Sequence, residues 1–110
     1  MENLQKNIQK LLNLFKSKKF LEAEKFGKGL IKVNPKIVFL YNVFGLILME
    51  LKKVDEAIIC YKKAINIQKD YSPVYDNLGT AYRMKGDYIT AELHHKKSIS
   101  LNNISIGFAN

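Results

Sequence analysis

The chain has 110 residues, 47% of them hydrophobic, enough for one globular unit with a modest core, and no run of about 18 apolar residues that would span a bilayer. Its N-terminus, Met1-Glu2-Asn3-Leu4-Gln5-Lys6-Asn7, lacks the apolar stretch of a secretory signal, and a lone Cys60 excludes an internal disulfide, so the cytoplasm is the expected compartment. The formal net charge is +8, but Arg83 is the only arginine and no aromatic–arginine interleaving occurs, which speaks against a nucleic-acid surface.

The charge is localised. Residues 4–37 hold nine lysines against Glu22 and Glu24, a net +7, whereas residues 38–71 and 72–105 carry +1 each. An acidic partner at that end is one reading. The other is coding bias, since Lys, Ile and Asn, all with AT-rich codons, make up 39 of the 110 residues.

The same divisions emerge from internal repetition. Ala23, Ala57 and Ala91 lie 34 residues apart, as do Leu11, Gly45 and Gly79, and Leu30, Ala64 and Ser98. A period of this length marks a solenoid of small helical units. Three units follow without linkers, 4–37, 38–71 and 72–105, each read as two helices of about 14 residues joined by a short turn. In the first unit the turn is Lys18-Lys19, and Asn34-Pro35 stops the second helix, because proline disfavours helix in the residue before it. Gly27 and Gly29 weaken that helix by about 1 kcal/mol each relative to alanine. In the second unit, 11 of the 14 residues from Val38 to Leu51 are apolar, so that helix is covered on most sides. At about 21 Å it is too short to cross a bilayer. After the Lys52-Lys53 turn, Val54, Ala57, Ile58, Tyr61, Ala64, Ile65 and Ile67 read as one buried face, mostly at steps of three and four. In the third unit Pro73 opens a helix running to Lys85, Gly86-Asp87 breaks it, and Tyr88 to Leu101 forms the next, with Asn102-Asn103 as its stop. Residues 106–110 read as a capping segment or the start of an incomplete further repeat. Ile104, Ile106 and Phe108 there would fold back or meet another chain.

Residues 72–105 resemble a tetratricopeptide repeat. Tyr75, Leu78, Gly79, Tyr82, Ala91, His95 and Ser98 occupy positions 4, 7, 8, 11, 20, 24 and 27 of the family's pattern. Residues 38–71 are similar, through Tyr41, Phe44, Gly45, Leu48, Ala57, Tyr61 and Ala64. The first unit departs from the pattern: Asn7 replaces the aromatic, Leu11 the glycine, and Gly27 the later aromatic. A large Leu11 opposite a bare Gly27 would exchange big for small across the helix pair.

The resemblance implies an all-α solenoid, three helix-turn-helix units in a right-handed superhelix. It also implies a concave groove lined by the first helices, so that the chain binds a protein or peptide rather than transforming a substrate. The groove residues carried over are Ile8, Leu12 and Phe15 in unit one, then Phe39, Asn42, Val43, Leu46 and Met49 in unit two. Unit three supplies Asp76, Asn77, Thr80 and Arg83. The groove is therefore expected to be apolar across its first two units and polar beyond. The positions at which co-chaperones of this family clamp acidic tails hold Ile8, Leu12, Val43, Pro73 and Asn77, none cationic, so that use is not expected.

No catalytic, cofactor or metal site emerges. His94 and His95 are adjacent on a helix and diverge by roughly 100°. Cys60 has no base in view. Two further uses fit the pattern: self-assembly into a homo-oligomer, or service as the N-terminal part of a larger enzyme such as a glycosyltransferase or sulfotransferase. Leu4 to Lys16 also reads as a basic amphipathic helix, but burial of Leu4, Leu11 and Leu14 competes with a membrane role.

Overall fold

In the computed structural model, which describes residues 3–107 and side chains up to residue 103, the chain forms six α-helices. They are α1 (Leu4–Lys16), α2 (Phe20–Val33), α3 (Val38–Glu50), α4 (Val54–Ile67), α5 (Ser72–Met84) and α6 (Tyr88–Gly107). Consecutive helices pack pairwise into three hairpins, α1 with α2, α3 with α4, and α5 with α6. α2 also packs on α3 and α4 on α5, while α1, α3 and α5 form a continuous inner row. Among the described residues there is no strand, and no helix is long and apolar enough to cross a membrane.

The repeat in sequence returns as a repeat in geometry. Each hairpin turns on a left-handed residue at the same register, Lys18 (φ 61°), Lys52 (φ 64°) and Gly86 (φ 85°). The following amide reaches back to a carbonyl five residues earlier in all three: Lys19 to Leu14 at 2.9 Å, Lys53 to Leu48 at 2.8 Å and Asp87 to Tyr82 at 2.9 Å. That is a helix C-cap which favours glycine, and only the third hairpin has one. The connections between hairpins repeat as well. The Tyr41 hydroxyl donates to the Pro35 carbonyl at 2.8 Å, and the Tyr75 hydroxyl to the Lys69 carbonyl at 2.7 Å. Asn7 replaces this tyrosine in the first unit.

Two core clusters follow the units. One gathers Leu11, Ala23, Leu30, Leu40, Val43 and Ile47; the other is built on Leu48, Ala57, Tyr61, Ala64, Val74 and Leu78. The glycines matter for rings more than for helix axes. A Cβ on Gly45 would lie 2.2 Å from Cε1 of Tyr61, and one on Gly79 would lie 2.5 Å from the His95 ring. Gly27 leaves room for Phe44 and Leu11, which would stand 2.9 Å and 3.3 Å from its Cβ. The exchange of large for small in the first unit is thus realised.

One expected boundary fails. Asn102-Asn103 does not stop α6, which continues to Gly107. No proline follows to block the next turn. Asn102 is instead tied to α5: the Ser72 hydroxyl donates to Asn102 Oδ1 at 2.8 Å, and the Ser98 hydroxyl donates to the Ser72 carbonyl at 3.2 Å. The backbone of residues 104–107 is therefore helical. The apolar side chains read there, and Phe108 with the rest of 108–110, lie outside the described residues.

Thermal and urea unfolding followed by circular dichroism check this packing. Gly45→Ala should cost about 1–3 kcal/mol, since the Tyr61 ring has nowhere to go. Gly29→Ala, with nothing within 4 Å, should instead stabilise the chain by roughly 0.5–1 kcal/mol. Lys52→Gly should gain about 1 kcal/mol by relieving a left-handed, non-glycine residue.

Candidate functional site

The inner row of helices encloses a cleft of about 240 Å³. Its lining comes from all three units: Phe15 of α1, Leu46, Met49 and Glu50 of α3, Lys52 of the turn, and Asn77, Thr80 and Met84 of α5. α3 reaches it by being buried on its other sides, with Leu40, Phe44, Ile47 and Leu48 all in the core. What remains of α3 for the cleft is the half-buried pair Leu46 and Met49.

The floor of the cleft is supplied by α4. Tyr61 passes under Gly45 and lines the cleft from below. It is 0% exposed, and its hydroxyl is buried without a hydrogen-bond partner. Burial pushes its pKa well above the usual tyrosine range, so it stays a neutral donor at any physiological pH. An unpaired buried hydroxyl costs about 1–3 kcal/mol. One unit further on, His95 passes under Gly79 in the same way and meets Asp76, with Nδ1 to Oδ1 at 2.9 Å.

The residues expected to line the groove separate into four groups. Phe15, Leu46, Met49, Asn77 and Thr80 meet around the cleft. Val43 is buried in the first core cluster, with Ile8 and Leu12 packed against it, so these three join α1 to α3. Asn42 is buried and accepts a 2.8 Å hydrogen bond from Asn77, so two amides expected to face a guest hold each other. Phe39 and Arg83 are exposed beside the cleft's lining, not part of it, and Asp76 is engaged by His95. Sequence reasoning missed Tyr61 as a floor residue. The signal was the glycine facing it at Gly45, which leaves a ring-sized passage through α3.

Other chemically suggestive residues take structural places. His94 stacks on Tyr82 with ring centroids 5.3 Å apart, and its Nδ1 lies 2.9 Å from the Thr90 carbonyl. Burial pushes the Cys60 thiol up, away from the thiolate that a nucleophile needs. Among the described residues no three of His, Cys, Asp and Glu lie close enough to hold a metal ion.

Comparison with known proteins fits this geometry. The family model described as tetratricopeptide repeat matches residues 37–103. No curated protein matches the chain. Among solved structures, a MamA (MSR-1) is 23% identical with a TM-score of 0.85, over 94% of this chain and 59% of that one. MamA from Desulfovibrio magneticus RS-1 is 20% identical, TM-score 0.86, over 93% and 58%. The type III secretion translocator chaperone SycD from Yersinia enterocolitica is 17% identical, TM-score 0.86, over 89% and 73%. The chain thus spans under two thirds of the length of the MamA chains it matches.

Tyr61→Phe tests the orphan hydroxyl. Stability should hold or rise by up to about 1 kcal/mol, because an unpaired polar atom is removed and no bond is lost. A fall in the unfolding midpoint would mean that the hydroxyl has a partner.

Proposed function

This chain belongs to the tetratricopeptide repeat family, and we propose that it is a non-catalytic scaffold that holds a protein guest, an extended peptide or a helix, in its concave cleft. The observation that carries this reading is the cleft's composition. Phe15, Leu46, Met49 and Met84 offer apolar contact, and Asn77 and Thr80 offer polar contact at one edge. Apolar surface with a few convergent polar groups is the make-up of a recognition pocket. The two methionines can repack around guests of different shape.

The upward-shifted, partly buried Cys60 thiol and the structural engagement of both histidines support a binding role over catalysis. SycD, which shares the fold, is a translocator chaperone, a protein whose work is to hold another protein. That likeness supports the class of function and leaves the guest open.

Leu46→Glu is the decisive variant. Leu46 is half-buried at the cleft and lies outside both core clusters, so helical content by circular dichroism should match wild type. Binding of the guest captured by the wild-type chain should fall by at least about tenfold, the effect of placing a charge against an apolar contact. Equal capture by both chains would remove the groove from the account.

A further inference from the structure

The first hairpin carries a second concave surface that the groove does not use. On the face turned away from the second hairpin, α1 and α2 part around a cleft of about 630 Å³. Its apolar wall is Leu4, Leu14, Phe26, Leu30 and Val33. The corresponding face of α3 is covered by α2, and that of α5 by α4; among the described residues α1 packs only on α2 and α3, and no further helix covers this face. One period downstream, buried Tyr41 and Phe44 stand where the cleft has Asn7 and Lys10, so the first unit keeps a gap where the second is filled. The space therefore lies where the solenoid's own geometry places a helix.

Charge selects the kind of helix. Lys10 and Lys25 stand on the lining beside a single acid, Glu22, and Lys10 Nζ sits 4.6 Å above the Phe26 ring. The unit's other acid, Glu24, is occupied by Lys53 at 2.7 Å. The unit as a whole is +7. A second copy of the chain does not complement this. On α6 the exposed apolar residues are Tyr88, Ile89, Leu93 and Ile99, but the helix's one acid, Glu92, is already paired with Lys96 at 2.9 Å. On α4, Asp55 is paired with Lys85, and the remaining acid, Glu56, shares the helix with Lys62 and Lys63. We infer that the cleft between α1 and α2 binds an acidic amphipathic helix of another protein, its apolar stripe against Phe26 and Leu30 and its carboxylates toward Lys10 and Lys25. This site is separate from the groove and does not depend on it.

The test uses the full chain and two fluorescein-labelled helical peptides of about 16 residues, long enough to span the cleft. Both carry leucines at helical spacing; one has glutamates on its polar face, the other lysines. Fluorescence anisotropy should show the glutamate peptide binding at least about tenfold more tightly than the lysine peptide, with affinity falling as salt rises from about 0.05 M to about 0.3 M. Lys10→Glu/Lys25→Glu, two exposed substitutions, should reverse the preference, whereas Leu46→Glu should leave it unchanged. Equal binding of the two peptides, or indifference to the double reversal, overturns the inference. Loss of binding in Leu46→Glu would place the peptide in the groove and also overturn it. So would binding of the chain to phosphatidylglycerol vesicles through these lysines with neither peptide bound.

Discussion

The structure depends on two rings being able to pass beneath two glycines. Tyr61 under Gly45 and His95 under Gly79 lock the second helix of a hairpin against the first, and any Cβ would meet the ring well inside van der Waals distance. Ala57 and Ala91, at 0% and 3% exposure, let the same helices close from the other side. Because ring and glycine recur 34 residues apart, successive hairpins adopt the same internal geometry and stack with a constant offset. The inner row of α1, α3 and α5, and hence the cleft, is a consequence of that offset.

The first unit meets the same constraint by a different route. With Gly27 in place of the ring, the space is filled from the opposite direction by Leu11, which is 1% exposed, and by Phe44 of the next unit. This closes the inner side. It does nothing for the outer side, where Asn7 lacks the hydroxyl with which Tyr41 and Tyr75 hold the preceding connection. Tightness inside and looseness outside follow from one set of substitutions.

Much of this was legible in the residues. The period, the all-α architecture, the turn positions and the glycine–alanine positions were all readable, because each rests on local backbone preference or on apolar spacing within one helix. The groove was legible only in part. Helical position says that Val43 and Leu46 both face inward, but the closeness of α1 to α3 buries the first and leaves the second at the cleft. Val43 shares its core cluster with Leu11, the residue that stands over Gly27. Asn42 and Asn77 face the same problem: an amide at a groove position looks free until its neighbour 35 residues on is known to be within 2.8 Å. The length of α6 was misread because asparagines, unlike Asn34-Pro35, stop a helix only when nothing else engages their side chains.

The two clefts differ in a way that bears on what the chain can do. The inner one spans all three units and is lined mostly by apolar side chains, with Asn77 and Thr80 at its α5 edge. The outer one belongs to a single hairpin and carries Lys10 and Lys25 beside Glu22, and a charged surface accelerates encounter more than it tightens the final complex. Under the two proposals together, the chain is recruited through one surface while it holds a guest in the other. The separation is structural: α1 turns Phe15 toward the inner cleft and Leu4, Lys10 and Leu14 toward the outer one, so one helix lines two clefts without either using the other's residues.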